Sequence, residues 1–217
     1  MTAKPKGRIA PRIDLNSLQD TFAHQLASGT VYDAQLSGGK LGPLQSAREQ
    51  RVSIMGSVLH GVSLAETAAR RLLLNDVRIE ASDLANIDLS YSTFERVEIL
   101  ATRLTGAICN EAQWKSVLFR ECRLELAMAR MATLKDCVFE DCDLRQVDFY
   151  AADLTAAIFR RCDFSRADIS QAKLTGVDIR DCRIDGMKGT PGAVDGLIIS
   201  PDQAALLITL FGVIVKS

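Results

Sequence analysis

The chain has 217 residues, of which 47% are hydrophobic and 24% charged, and its net charge is -1. This composition indicates a globular protein with a substantial core. The near-zero charge excludes broad electrostatic attraction to nucleic acid or to an anionic membrane, and the presence of only two histidines limits imidazole-based metal sites and acid–base chemistry.

Residues 1–50 form an N-terminal region that begins with a basic tail and has no apolar run of signal-peptide length. The tail is interpreted as a solubilising segment, with a weak nucleic-acid arm as the alternative. An amphipathic helix is predicted from Leu15 to Leu26. The stretch DAQLSGGKLGP then predicts two early repeats, centred on Leu36 and Leu41, in a register of their own.

Large apolar residues recur at every fifth position of residues 51–187. In the column from Ile54 to Ile184, 24 of the 27 positions are Leu, Ile, Phe or Trp, and a column two residues earlier holds mostly small residues. A period of five fits neither an α-helix nor a plain strand. It fits a chain that turns a corner every five residues, with two side chains inward and three outward. Only stacked coils can bury the large residue of each unit, so the period predicts a solenoid.

Units such as ADLTA (152–156) and AKLTG (172–176) resemble the A(D/N)LXX signature of pentapeptide repeat proteins. The resemblance extends from Val52 to Gly186. It implies an all-β solenoid, a right-handed quadrilateral β-helix with four pentapeptides per coil. Because a solenoid needs capped ends, we also expect an N-terminal helical cap and a C-terminal helical module. At about 4.8 Å per stacked coil, the rod would be about 31 Å long.

Residues 188–217 predict a C-terminal module of strand, helix and strand that caps the last coil. Ser200-Pro201-Asp202-Gln203 has the pattern of a helix N-cap with a capping box, and the helix is expected to run to about Phe211. It is apolar nearly all round, so one face covers the coil and the other needs a partner. Several pentapeptide repeat proteins pair through such a module. The resemblance therefore implies a homodimer, and the alternative is a helix folded wholly into its own chain. The candidate dimer contacts are Leu206, Leu207, Leu210 and Phe211.

Four of the six cysteines share one column, at one cysteine per predicted coil. Because a column of inward side chains is a line and not a tetrahedron, and its members run parallel, we expect neither a metal site nor a disulfide ladder. The thiols are interpreted as small core-filling groups, and no cofactor is expected. These cysteines are Cys122, Cys142, Cys162 and Cys182, and Cys137 lies in the equivalent column of another face.

The absence of a secretory signal alongside free thiols predicts a cytoplasmic protein. The most apolar segment, Ala204 to Val215, is shorter than the roughly 20 residues of a membrane span. No P-loop, GxGxxG, HExxH, GxSxG or CxxC motif occurs. The carboxylates fall on a convex surface, whereas acid–base catalysis needs converging groups in a concave site. We therefore expect a non-enzymatic scaffold that binds another, unidentified protein.

Sorting the outward residues by their position in the coil defines four faces, and two of them carry apolar clusters that indicate contact surfaces. The fourth face, which contains Ile79, carries a ladder of Leu118, Val138 and Ile158; the alternative is that an N-terminal helix or a loop covers it. The second face, which contains Leu89, carries the nominally outward residues Tyr91, Ile108, Met128, Met131 and Tyr150. Its best acidic candidates are Asp88, Asp148 and Asp168.

The best-known function of the resembled family is protection of DNA gyrase by mimicry of duplex DNA, which implies a type II topoisomerase as an alternative partner. A 31 Å length of duplex carries roughly 18 negative charges. In this chain the acidic and basic residues nearly balance on every face, which departs from the pattern of a strongly acidic mimic. We expect no direct binding of nucleic acid.

Overall fold

The computed structural model describes residues 8–16, 29–40 and 51–214. Within these residues, ten strands form one sheet in which every pairing is parallel. The helix predicted from Leu15 to Leu26 and the repeat around Leu41 fall largely outside the described residues. The strands are β1 Thr30–Tyr32, β2 Gln35–Ser37, β3 Ser53–Met55, β4 Val58–His60, β5 Leu73–Glu80, β6 Thr93–Leu100, β7 Gln113–Arg120, β8 Thr133–Lys135, β9 Val138–Glu140 and β10 Ile158–Arg160.

Paired residues on neighbouring strands of the main run are separated by a constant number of sequence positions, which equals the length of four pentapeptides. On the third face Leu74 of β5 pairs with Phe94 of β6, which pairs with Trp114 of β7. On the fourth face Phe119 pairs with Phe139 and then Phe159 in the same way. Isolated parallel bridges continue this offset on the first and second faces. One coil therefore consists of four pentapeptides, as the sequence period predicts.

A corner occurs every five residues, and the residue at most corners adopts a left-handed backbone conformation. Successive examples are Glu66, Arg71, Asp76 and Ala81, with φ between 49° and 59°. At the first two of these corners the chain closes a β-turn, as when the amide of Thr67 donates to the Leu64 carbonyl at 3.2 Å. A positive φ at the third residue makes these type II turns. Strand β5 instead runs across the corner at Asp76. Four corners per coil confirm the quadrilateral β-helix.

The column of large residues fills the interior of the rod, where aromatic rings stack from coil to coil. The ring centroids of Phe119 and Phe139 are 4.7 Å apart, and those of Phe139 and Phe159 are 5.0 Å apart. Phe94 and Trp114 stack in the same way at 5.0 Å on the third face. These rings are almost entirely buried, so they contribute both apolar burial and ring contacts.

The N-terminal end of the rod begins with β1 and β2. Val31 pairs with Ile54, and Leu36 pairs with Leu59, so both occupy the column of large residues one coil before the main run. Asp33 between them has a φ of 44°, as at the other corners. The paired positions here are three farther apart in the sequence than those of later coils. The first coil is therefore three residues longer than each later coil.

The C-terminal end is closed by helix α1, Pro201–Leu207, between short 3-10 segments at Pro191–Val194 and Ile208–Phe211. Ser200 and Gln203 form the predicted capping box. The buried Gln203 amide also donates to the carbonyls of Ile179, at 2.8 Å, and Cys182, at 2.7 Å. It thereby satisfies backbone groups that the last coil would otherwise leave open. No strand flanks the helix at 196–199 or 213–214, where only a bridge from Ile198 to Asp178 is formed.

Candidate interaction surface

Many acidic side chains on the rod are paired with basic side chains one coil away. Arg103 binds both carboxylate oxygens of Asp83, at 2.9 and 2.6 Å. Hydrogen bonding to the arginine lowers the pKa of Asp83 against the opposing effect of burial. Further pairs that join neighbouring coils in the same way are Asp76–Arg96, Arg78–Glu98, Arg120–Glu140, Glu140–Arg160, Asp141–Arg161 and Asp153–Lys173. The surface carries many charges but little uncompensated charge.

The acidic candidates on the second face also have local structural roles. A carboxylate oxygen of Asp88 accepts hydrogen bonds from the Ser90 amide at 3.0 Å and the Ser90 hydroxyl at 2.6 Å. Asp148 and Asp168 accept from the amides two residues later at 2.9 and 2.8 Å. This is the geometry in which an aspartate side chain stabilises a turn. This role in the turn explains why the repeat has an acidic residue at this position, and no binding partner is needed to explain it.

Tyr91 and Tyr150 lie along one open cleft of about 370 Å³ at the corner between the second and third faces. Each tyrosine ring contacts an arginine: the guanidinium carbon of Arg70 is 5.8 Å from the Tyr91 centroid, and that of Arg130 is 5.0 Å from the Tyr150 centroid. These distances are typical of cation–π contacts. We call this site the tyrosine cleft, and it is lined by Arg70, Ser90, Tyr91, Asn110, Glu111, Arg130, Met131 and Tyr150.

Each arginine of the tyrosine cleft forms an ion pair with an aspartate of the second face. Arg70 pairs with Asp88 at 3.2 Å, and Arg130 pairs with Asp148 at 3.3 Å. Each aspartate thus links a turn to an arginine that stacks on a tyrosine. The structure brings together four of the predicted residues, namely Asp88, Tyr91, Asp148 and Tyr150. Asp168 lies farther along the same row and pairs with neither arginine of the cleft.

Of the other cleft residues, sequence reasoning placed Met131 on the second face but did not identify Arg70, Asn110, Glu111 or Arg130. Arg70, Asn110 and Arg130 occupy the position just after the large residue in consecutive or alternate coils, and Glu111 and Met131 occupy the corner position. Aligning these two positions from coil to coil would have placed all five beside the tyrosines. The arginine–tyrosine contacts depend on side-chain conformation, which the period does not specify.

The ladder of Leu118, Val138 and Ile158 is not the exposed surface that the period predicts. Leu118 and Val138 are only 4% and 7% exposed, and Ile158 is half-buried. The N-terminal segment lies against the same face: Arg8 donates to Glu98 at 3.0 Å, and the Arg12 amide donates to Asp76 at 2.9 Å. These contacts agree with the alternative that N-terminal residues cover the fourth face.

The four candidate dimer residues divide into two pairs. Leu207 is 6% exposed and Leu210 is half-buried, because both pack against the core at the end of the rod. Leu206 and Phe211 are 43% and 55% exposed and remain available for a partner. The helix changes to a 3-10 segment at Ile208, which changes the angular spacing of the side chains beyond that point. Further exposed apolar residues in this C-terminal segment are Ile198, Ile208, Val213 and Ile214.

The cysteine column lies in the core, and its thiols are free. The Cys142 thiol lies 3.3 Å from the Glu140 carbonyl, two residues earlier, and the Ser82 and Thr102 hydroxyls make the equivalent bond in earlier coils. Burial raises the pKa of Cys109 and of Cys137 to about 12, so these thiols stay protonated. Within residues 8–16, 29–40 and 51–214, no three His, Cys, Asp or Glu residues are placed to hold a metal ion.

The described part of the chain contains no helix that is both long and apolar enough to cross a bilayer. A comparison with curated proteins finds no match. Among solved structures, a trypsin-treated variant of QnrB1, a plasmid-mediated fluoroquinolone resistance protein, is 18% identical. That alignment covers 86% of this chain and 90% of QnrB1, with a TM-score of 0.49.

HetL, a pentapeptide repeat protein involved in heterocyst differentiation regulation in the cyanobacterium Nostoc sp. strain PCC 7120, is 17% identical. The alignment covers 73% of this chain and 84% of HetL, with a TM-score of 0.29. The sequence model of the pentapeptide repeat region matches residues 112–188. Its match coincides with coils whose corners recur once per pentapeptide and whose pairings recur once per coil. Residues 112–188 of this chain therefore form a region similar to pentapeptide repeat proteins.

Proposed function

We propose that this protein is a non-enzymatic scaffold that binds another protein through the tyrosine cleft. The observation that carries the proposal is the cluster of two tyrosines, two arginines and a methionine at one open corner of a rigid rod. Tyrosine, arginine and methionine are enriched at protein interfaces, and tyrosine and arginine dominate binding hot spots. Tyr91 and Met131 are 45% and 53% exposed, so both can contact a partner without any change in the fold.

The arrangement of the cleft supports recognition by preformed side chains. Each arginine is already oriented by an aspartate and a tyrosine ring, at 3.2 and 5.8 Å for Arg70. Side chains ordered before binding lose less conformational entropy when a partner docks. The cleft therefore suits a protein that binds with little rearrangement of the rod.

The proposal is tested by affinity capture from an extract of the native cells, with tagged wild-type protein and a Tyr91→Ala, Tyr150→Ala double variant. Arg123→Ala is the matched control, since Arg123 is an exposed outward residue of the first face and lies outside the cleft. We expect a protein that wild type and Arg123→Ala retain and the double variant loses. Identical captured proteins in all three samples would contradict a role for the cleft.

We further propose that two copies associate through the exposed apolar end of the rod. Leu206, Ile208 and Phe211 are each more than 40% exposed there, which is unusual for large apolar side chains next to one another on a monomer. Light scattering of purified protein should give twice the mass of one chain, and Phe211→Glu should return the single-chain mass. A single-chain mass for the wild type would rule out this dimer.

Gyrase-directed DNA mimicry is the weaker candidate, because the acidic side chains are paired. A mimic needs a continuous row of free carboxylates, whereas Asp83, Glu98 and Asp141 each contact an arginine one coil away. If the protein nevertheless binds a type II topoisomerase, purified protein at micromolar concentration will inhibit supercoiling by gyrase. We expect no inhibition.

We also propose a cytoplasmic location. The six free thiols fit this location, because disulfides are rare there.

A further inference from the structure

We propose that the tyrosine cleft receives a cationic side chain of the partner, an arginine or a lysine, with Glu111 as its counter-ion. The inference rests on the proposed function and specifies the chemistry of the group that the cleft recognises. It follows from the charge that is left uncompensated in the cleft and from the side chains that surround that charge.

Glu111 is the one carboxylate lining the described cleft that has no ion pair with a described residue. The two arginines of the cleft are engaged by Asp88 and Asp148 at 3.2 and 3.3 Å. Those four charges cancel, so the cleft has a local charge of -1, located on Glu111. A cationic group complements this charge, whereas the two arginines already have aspartate counter-ions.

The neighbours of Glu111 suit the rest of a long cationic side chain. Glu111 occupies a corner with a φ of 56°, and Tyr91 and Met131 occupy the same corner one coil before and one coil after it. At about 4.8 Å per coil, both flank its carboxylate. Because lysine and arginine stems are apolar, they can pack against Met131 and Tyr91 while the charged head reaches the carboxylate. An aromatic ring close to the head adds a cation–π attraction.

Glu121 provides a matched comparison within the same chain. It is an exposed corner glutamate with a φ of 55° and has no ion pair with a described residue. Its corner neighbours one coil away are Ala101 and Asp141, so it has no aromatic ring or methionine beside it. Glu111 and Glu121 thus share backbone conformation, charge and exposure, but Glu111 lies between a tyrosine and a methionine, whereas Glu121 lies between an alanine and an aspartate.

The test is an NMR titration of isotopically labelled full-length protein with the blocked tripeptide Gly-Arg-Gly. The control ligand is Gly-citrulline-Gly, which has nearly the shape of the arginine peptide and no charge. We expect saturable shifts of the Tyr91, Glu111 and Met131 amides with the arginine peptide and none with the citrulline peptide. Glu111→Gln should weaken binding about twofold to fivefold, the range expected for an exposed ion pair, and Glu121→Gln should leave it unchanged.

The inference is overturned if both peptides shift the same amides equally, if no saturable shift occurs, or if Glu111→Gln binds the arginine peptide as tightly as wild type. Failure of the proposed function has a different signature. In that case the double tyrosine variant captures the same proteins as wild type, whatever the peptide does. Loss of the captured protein together with a silent peptide titration would retain the interaction surface and reject the cationic ligand.

Discussion

Arg103 donates hydrogen bonds of 2.9 and 2.6 Å to the two carboxylate oxygens of Asp83, which lies one coil earlier on the same face. The same offset pairs Asp76 with Arg96 at 2.7 Å. Because every coil contains four pentapeptides, each outward side chain has its nearest column neighbours at the equivalent positions of the coils before and after it. Acidic and basic residues therefore often meet within one column, and these pairs explain why many acids produce little net field.

Arg96→Met should destabilise the protein more than Arg103→Met. Arg96 and Asp76 are 18% and 16% exposed, and Arg96 also contacts Asn75 and Glu95, whereas Arg103 and Asp83 are 50% and 37% exposed. Removing a partly buried charged hydrogen-bond partner costs about 1–3 kcal/mol. Urea unfolding of both variants checks the order. Equal losses would mean that burial does not distinguish the two pairs.

Stability should fall in acid as these carboxylates take up protons. Hydrogen bonding to Arg96 lowers the pKa of Asp76 below its ordinary 3.8, despite burial, and hydrogen bonding to Arg161 likewise lowers that of Asp141. A carboxylate with a lowered folded pKa contributes stability above its unfolded pKa and loses it as the pH falls through the folded value. The free energy of unfolding should thus be level above about pH 5 and decline below about pH 4. Asp76→Asn should show a shallower decline, and a slope identical to wild type would exclude Asp76 as a contributor.

Phe139→Ala should be among the most destabilising single changes. Its ring is stacked between Phe119 at 4.7 Å and Phe159 at 5.0 Å and is 1% exposed. Removing such a ring leaves a cavity and costs about 3–5 kcal/mol. Phe211→Ala is the control, because Phe211 is 55% exposed. Denaturant midpoints that shift equally for the two variants would contradict the stacked core.

Cys142→Ser should retain stability within about 1 kcal/mol, because a hydroxyl can bond the carbonyl two residues earlier, as Ser82 and Thr102 do at 2.8 Å. Wild-type unfolding should also be the same with and without reductant and chelator. A large loss of stability on adding either reagent would indicate a disulfide or a metal in the cysteine column.

The interior of the rod was predictable because each pentapeptide must supply one large inward side chain. The sequence therefore has a large apolar residue at almost every fifth position. Ile54 through Ile184 follow this pattern almost without exception, so the coil length and the four corners follow from the sequence. The role of the regularly spaced cysteines is predictable for the same reason, since a column of inward residues is a property of the coil.

The surface was less predictable, because it depends on segments far away in the sequence. Leu118 is outward by the period, yet it is only 4% exposed on the face against which Arg8 and Arg12 lie. At the C-terminal end, a helical period assigns Leu207 to the dimer surface, whereas it packs on the last coil. The tyrosine cleft was predictable only in part. The period predicts that the tyrosines point outward, but it does not predict their contacts with Arg70 and Arg130.

The most direct test of the account is site-specific photo-crosslinking in the native cells. A photoreactive p-benzoyl-phenylalanine replaces Tyr91 in the cleft or, as the control, Ala101 at an exposed corner between the fourth and first faces. The account predicts a light-dependent covalent adduct with a second protein from position 91 and not from position 101. The same adducts from both positions, or none from position 91, would contradict binding through the tyrosine cleft.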